Sequence, residues 1–153
     1  ISSRSLKARG LSNAMVSAAH LKGSHQQLKT LMDSLTQAVP TLLAKFKAQD
    51  LANSFWALAK FGIDQGRHVA VLHQLAAAAE GQLALGDFGP SDLSRVAWSL
   101  ATLRLKDEPL LSCISGEAQN KMALFVPQSL ANLAWAYAKL VHMDATLASA
   151  LTS

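Results

Sequence analysis

Residues 50–62 read DLANSFWALAKFG, and this stretch recurs at three other places in the chain. The further copies read GLSNAMVSAAHL at 10–21, DLSRVAWSLATL at 92–103 and SLANLAWAYAKL at 129–140. The aligned tryptophan position is spaced by 40, 42 and 37 residues and holds Val16, Trp56, Trp98 and Trp135. Repetition at this interval is typical of proteins built from stacked helical repeats.

Within each copy, apolar residues recur every three or four positions, as on the buried side of an amphipathic helix. In the second copy these residues are Leu51, Phe55, Leu58 and Phe61. The segments between the copies show the same periodicity, so each repeat is predicted to be a helix-turn-helix unit. We therefore expect an all-α fold, a right-handed-type α-solenoid of about four repeats whose core is a row of small interfaces.

The repeats also predict how the chain is divided. A basic N-terminal arm of residues 1–9 precedes a repeat domain of residues 10–153. The approximate repeats are 10–47, 48–88, 89–125 and a truncated 126–153. Because the chain starts with Ile1 and the last repeat is incomplete, we expect a piece of a longer array, with any targeting peptide upstream.

Composition and charge limit the classes of protein. Half of the 153 residues are hydrophobic and the net charge is +4. No apolar run approaches the length of about 18 residues that a membrane span requires. Residues 1–47 hold seven basic residues and one acidic residue, whereas residues 48–153 hold seven basic and nine acidic residues. The positive charge at the front could meet phosphate or simply face solvent.

Catalysis finds little support in the sequence. Cys113 lies among leucine and isoleucine residues, which predicts a buried and unreactive thiol. His68 and His73 are five residues apart and share a helix face poorly, so a metal pair is not expected. No phosphate-binding glycine loop is present. We expect a protein that is not an enzyme and uses no cofactor or metal.

One side of the repeated helix carries polar residues in register. The first polar position holds Asn13, Asn53, Arg95 and Asn132. The position seven residues later holds His20, Lys60, Thr102 and Lys139. Since positions seven apart share a helix face, each repeat presents an amide or guanidinium group, usually with a basic group beside it.

The segment FKAQDLANSFWALAKFG at residues 46–62 resembles the signature of the octotricopeptide repeat, a helix-pair repeat of roughly this period. Variants at 88–103 and 125–140 extend the resemblance over residues 10–153, although the first copy lacks the tryptophan and the third has Arg95 in place of asparagine. The resemblance implies a nucleus-encoded protein that binds RNA in a mitochondrion or chloroplast. It would act on transcripts, or, like relatives of this family in some algal mitochondrial ribosomes, hold ribosomal RNA within a ribonucleoprotein.

Helical-repeat RNA readers place side chains of each repeat against one unstacked base. The predicted RNA-binding residues are Asn13, Asn53, Lys60, Arg95, Asn132 and Lys139, with Arg4, Lys7 and Arg9 at the basic front. The asparagines would bond base edges, Arg95 would stack or pair with phosphate, and the lysines would contact the RNA backbone. The expected partners are organellar transcripts or ribosomal RNA, and other proteins of a ribonucleoprotein assembly.

Other interpretations of the same residues remain open. The tryptophans fit inter-repeat core better than base-stacking platforms, because large aromatic residues dominate such interfaces. The asparagines could form a ladder that satisfies backbone groups, and the lysines could complement helix dipoles. Armadillo-type solenoids also expose asparagines along a groove, where they bind a peptide backbone, so a protein-binding scaffold is the alternative function.

Charge beside the polar column is the feature that separates these two functions. Basic neighbours would favour RNA; the candidates are Lys45, Lys47, Lys60, Arg67 and Arg104. Acidic neighbours would favour a protein partner; the candidates are Asp64, Asp107 and Glu108.

Overall fold

The computed structural model describes residues 3–21, 26–63 and 65–140, together with residue 152. Within these residues the protein is helical and contains no strand, which confirms the predicted all-α class. The α-helices are α1 (Ser3–His20), α2 (Gln26–Leu42), α3 (Ala48–Phe61), α4 (Gln65–Ala84), α5 (Pro90–Thr102), α6 (Glu108–Asn120) and α7 (Pro127–Lys139). Short 3-10 turns follow α2 at Leu43–Lys45 and α6 at Met122–Leu124.

The helices pack in two rows. The odd helices, α1, α3, α5 and α7, each pack against the next odd helix along the chain. The even helices, α2, α4 and α6, form a second row, and each also contacts the odd helix that precedes it. Each full repeat of the sequence therefore adds one helix to each row.

The predicted apolar stripe forms the core between these helices. Leu51, Phe55 and Leu58 of α3 are fully buried, and so are Leu93 and Leu100 at equivalent positions of α5. Full burial of one such side chain stabilises the fold by roughly 1.5–3 kcal/mol. The small residues of the adjoining column are also buried in the first three odd helices; they are Ala19, Ala59 and Ala101.

Local chemistry determines where the helices begin. Pro90 and Pro127 open α5 and α7 at the position where the missing N–H of proline has no intrahelical partner to lose. The Asp107 side chain accepts a hydrogen bond at 3.0 Å from the amide three residues later and so caps α6. At the start of α3, the Asp50 carboxylate accepts the Lys47 backbone N–H at 2.9 Å.

Two of the odd helices end in the same way, although only one ends at a glycine. Gly62 and Arg104 both lie six residues after the repeat tryptophan and both have positive φ, 77° and 57°. The next amide then bonds the carbonyl five residues earlier, at 3.3 Å after Gly62 and at 2.8 Å after Arg104. This is the bond that closes a Schellman-type helix end.

Side chains of one helix pair hold the loop that closes the pair before it. Gln82 Nε2 of α4 donates to the Phe46 carbonyl at 3.1 Å, between α2 and α3. The Lys121 ammonium, just after α6, donates to Gly86 O at 2.7 Å and also to Phe88 O, between α4 and α5. Both phenylalanines are buried at equivalent positions, so the two junctions are built alike.

Two sequence expectations concern the ends of the chain. Helix α1 begins at Ser3 and so includes residues 3–9 of the predicted N-terminal arm. Residues 141–151 and 153, which would hold the second helix of the last repeat, lie outside the described residues. Of the helices in the described ranges, none has the length and apolar character needed to cross a membrane.

Candidate nucleic-acid interface

The polar positions of the repeat lie side by side on the row of odd helices. In α5 they are Arg95 and Thr102. Ser91 and Trp98 are spaced three or four residues from them and so share the same side of the helix. Contacts between neighbouring helices join these positions to the equivalent ones of α1, α3 and α7. We call the resulting surface the odd-helix face.

Trp56 is at the centre of a stack of side chains from three successive odd helices. The His20 ring of α1 lies 5.1 Å from the indole, centroid to centroid, at an angle of 48°. The guanidinium carbon of Arg95 in α5 lies over the indole, 5.8 Å from its centroid. A cation–π contact of this kind contributes about 0.5–1 kcal/mol where it is exposed to solvent. The stack therefore fixes aromatic and cationic groups next to one another across three repeats.

Asn53 is buried under Arg95 and does not face solvent. Only 6% of the residue is exposed, and its Oδ1 accepts a hydrogen bond from Arg95 Nη1. A hydrogen bond to a charged donor contributes about 1.5–3 kcal/mol. Asn53 therefore orients Arg95, a role that neither the base-contact nor the backbone-ladder interpretation had given it.

A cavity of about 250 Å³ opens on the odd-helix face between α5 and α7, and we call it the α5–α7 cavity. Its lining residues are Trp56, Ser91, Ser94, Arg95, Trp98, Gln128, Ser129 and Asn132. They combine two indoles, one guanidinium, two amides and three hydroxyl groups, and none of them carries a carboxylate. A ligand there would meet flat aromatic surface and polar groups together.

The amide groups in this cavity are oriented by each other. Gln128 Nε2 donates to Asn132 Oδ1 at 3.1 Å, four residues along the same helix. Across the cavity floor, the Ser94 hydroxyl donates to Ser129 O at 2.6 Å and ties α5 to α7. The structure thus brings the predicted Arg95 and Asn132 together in one site, with Asn53 behind them.

The remaining predicted residues lie outside this cavity. Asn13 and Lys7 are exposed on α1, and Lys60 is exposed in the last turn of α3. The Lys139 ammonium lies over the Trp135 indole, 5.0 Å from the ring centroid. The side chain of Arg4 lies outside the described part of the chain.

Arg9 belongs to the packing of α1 against α3. Its Nε donates to the Asp50 carboxylate, which also accepts the Ser12 hydroxyl at 3.3 Å. Its Nη1 donates to Gln49 Oε1 at 2.9 Å. Because the Asp50 side chain is only 3% exposed, Arg9 neutralises a buried carboxylate, and its contact with RNA stays a prediction.

The interpretation of the tryptophans as inter-repeat core is wrong in part. Trp56 and Trp98 pack against the core but remain half-buried on the cavity wall, and Trp135 is 45% exposed. Sequence reasoning also missed Ser91 and Gln128 as site residues. The available signal was their spacing, because each lies seven residues before its tryptophan and so on the same helix face.

The charged residues chosen to separate RNA from protein partners divide between the two rows. Arg67 of α4 bonds Asp33 of α2 at 3.2 Å, and Asp107 caps α6, so these groups belong to the even row. Lys47 instead lines a second cavity of about 550 Å³ beside the starts of α3 and α5, with Asp92 in the same lining. Asp64 lies outside the described residues. None of these basic or acidic candidates lines the α5–α7 cavity, where the charged lining residue is Arg95, and the second cavity is mixed in charge.

Burial raises the pKa of the Asp92 carboxyl in that second cavity. A backbone hydrogen bond from Gly89 and the positive charges of Arg95, Arg9 and Lys121 act in the opposite direction and are outweighed. Burial also raises the pKa of the Cys113 thiol, which is half-buried and not buried as the sequence predicted. Within the described ranges, no three His, Cys, Asp or Glu side chains come together as metal ligands.

Comparison with known proteins gives no family assignment. No protein-family model matches the chain, and no curated protein matches it.

Proposed function

We propose that this chain is an octotricopeptide-like right-handed α-solenoid that binds single-stranded RNA on its odd-helix face. The organelle, mitochondrion or chloroplast, and the action in RNA metabolism or translation rest on the sequence resemblance. The bound RNA would be a transcript or a ribosomal RNA, other proteins of a ribonucleoprotein would be partners, and the chain itself would not be an enzyme.

The α5–α7 cavity is the observation that carries the proposal. Single-stranded nucleic acid is bound by aromatic platforms that stack bases and by cations that follow the backbone, and stacking contributes roughly 1–3 kcal/mol per base. Trp98 supplies a partly exposed indole, and Arg95, stacked on Trp56, supplies a cation that suits both base edges and phosphates. No carboxylate lines the cavity itself, and the nearby Asp92 lines the second cavity.

The rest of the odd-helix face supports the same binding mode. Lys60 and Lys139 are exposed in the last turns of α3 and α7, at the same position of the repeat. Trp135, beneath Lys139, repeats the pairing of an indole with a cation that Trp56 makes with Arg95. An indole and a cation thus meet at two places on the odd-helix face, although Arg95 reaches Trp56 from the next helix and Lys139 reaches Trp135 from the same helix.

The test is equilibrium binding of this chain to a fluorescent 12-nucleotide single-stranded RNA, followed by anisotropy. Trp98→Leu keeps an apolar side chain against the core but removes the stacking surface, so we expect about tenfold weaker binding. His73→Leu removes an exposed ring from α4 on the even row and should leave the affinity unchanged. RNA binding that Trp98→Leu and His73→Leu weaken equally would place the RNA elsewhere.

Failure of the chain to bind any RNA would leave the protein-scaffold function. In that case the cavity and the exposed indole of Trp135 would be read as contacts for another protein.

A further inference from the structure

Arg95 is held in one orientation before any ligand arrives. Among the described residues, its guanidinium gives one hydrogen bond, to buried Asn53, and lies over the Trp56 indole. An arginine carries five N–H donors in a planar fork, so further donors remain for a ligand. An arginine fixed in this way loses little freedom on binding, which favours selective recognition.

The amide of Asn132 has a defined orientation too. Its Oδ1 accepts a hydrogen bond from Gln128 Nε2 at 3.1 Å, so the Nδ2 hydrogens are the donors that it can offer a ligand. The Ser94 proton is likewise committed, to Ser129 O at 2.6 Å. Arg95 and the Asn132 Nδ2 group therefore present donors to the cavity, whereas Ser94 can only accept there. A ligand that pairs with Arg95 and Asn132 must present acceptors.

The RNA bases differ in the acceptors that they place next to one another. Guanine has O6 and N7 on one edge, the pair to which arginine bonds with two parallel hydrogen bonds. Adenine puts an amino donor beside N7, which would face the arginine donors. The two uracil carbonyls flank an N–H donor, and cytosine has adjacent acceptors on a smaller ring that would cover less of the Trp98 indole.

We propose that the α5–α7 cavity selects guanine, with Arg95 donating to O6 and N7 while the base stacks on Trp98. Asn53 is a positioning residue that keeps the Arg95 fork turned toward the cavity. The inference rests on the proposed RNA-binding function and adds the base that this cavity takes.

The experiment compares 12-nucleotide uridine RNAs that carry one central guanosine, adenosine, cytidine, inosine or 7-deazaguanosine. We expect guanosine to tighten binding about tenfold over the all-uridine RNA, since a two-bond arginine contact discriminates by this order. Inosine keeps O6 and N7 and should match guanosine. The 7-deaza base lacks the N7 acceptor and should lose most of the gain.

Variants test which side chains produce the preference for guanosine. Arg95→Lys keeps the charge but not the fork, so the guanosine gain, measured as the ratio of the guanosine affinity to the uridine affinity, should disappear. The same exchange on the even row, Arg67→Lys, should change neither quantity. Asn53→Ala should reduce the guanosine gain, and Asn53→Asp, which keeps an acceptor for Arg95, should retain it.

The possible results distinguish a failure of guanine selection from a failure of the proposed RNA-binding function. No binding of any RNA would reject the proposed function. Equal binding of all the RNAs, or a preference for cytidine, would overturn guanine selection and leave RNA binding in place. Because the base series uses the unmodified protein, this result does not depend on the folding of any variant.

Discussion

The Asp92 carboxyl group is partly buried at the start of α5. It lies at the third position of α5, accepts the Gly89 backbone N–H, and has a pKa raised by burial. A group whose pKa is higher in the folded state binds a proton more readily there than in the unfolded chain. The folded state therefore loses stability as the pH rises from the ordinary aspartate pKa through the raised one.

Asp92→Asn should remove this dependence. An asparagine can still accept the Gly89 N–H but carries no charge, so the variant should gain free energy of unfolding relative to the unmodified chain as the pH rises from 3 to 7. Urea unfolding at several pH values, followed by far-UV circular dichroism, measures the difference. Asp87→Asn, in the exposed loop before α5, is the control. A gain that is the same at pH 3 and pH 7 would show that the charge is not its cause.

The asparagines of the repeat show which contacts the sequence does not predict. One repeat position holds Asn13, Asn53 and Asn132, and the repeat spacing predicts the same helix face for all three. Their surroundings differ because the side chain supplied by a neighbouring helix differs. Asn53 lies under an arginine 42 positions further along the chain, whereas Asn132 bonds a glutamine four positions back. Spacing within a helix does not encode these contacts.

The ends of α3 and α5 place two different residues in the same left-handed conformation. Gly62 adopts positive φ without steric cost, whereas Arg104 brings its Cβ close to the following carbonyl. We expect Gly62→Ala to lower the free energy of unfolding by about 1 kcal/mol and Arg104→Gly to raise it by a similar amount. Urea midpoints at unchanged m-value give both numbers. The two sites control for each other, and changes of the same sign would contradict the shared geometry.

Most element boundaries could be predicted, because their signals are local. The prolines that open α5 and α7, the Asp107 cap and the glycine at the end of α3 are residue types that favour these positions, so the sequence itself carries the signal. The stop at Arg104 appears only when the repeats are aligned. The start of α1 at Ser3, within the predicted basic arm, and the contact of Arg9 with α3 are not visible in the local pattern.

Across the whole molecule, the repeated helices stack into the row of odd helices. Charged residues at equivalent repeat positions therefore lie on the same surface. Lys60 and Lys139 lie on the odd-helix face, whereas Lys29 is exposed on α2 in the even row. If RNA follows the odd-helix face as proposed, Lys60→Gln and Lys139→Gln should each remove about one phosphate contact. The slope of log K against log salt should then become shallower by about 0.7 for each variant.

Lys29→Gln is the matched control for that salt titration, because it removes the same charge from the other row. An equal change in slope for Lys29→Gln and Lys60→Gln would mean that binding responds to net charge and not to the odd-helix face.

The arrangement of repeats could be read from the sequence because periodicity is a property of the whole chain. The exposure of the tryptophans could not. Each indole sits at the edge of the apolar stripe, where burial depends on how far the next odd helix covers it. That helix brings Arg95 against Trp56, and the space left between α5 and α7 exposes part of Trp98.

An engineer who divides this protein into modules must keep two sets of loop-holding hydrogen bonds intact. They run from Gln82 to Phe46 and from Lys121 to Gly86 and Phe88. A cassette cut at the sequence boundaries, before residues 48 and 89, separates each loop from the side chain that holds it. Cuts made within the even helices, after the preceding loop and before its holding side chain, would do the same. A transplantable module must therefore carry its own entry loop, starting near Phe46 or Gly86 and ending beyond Gln82 or Lys121.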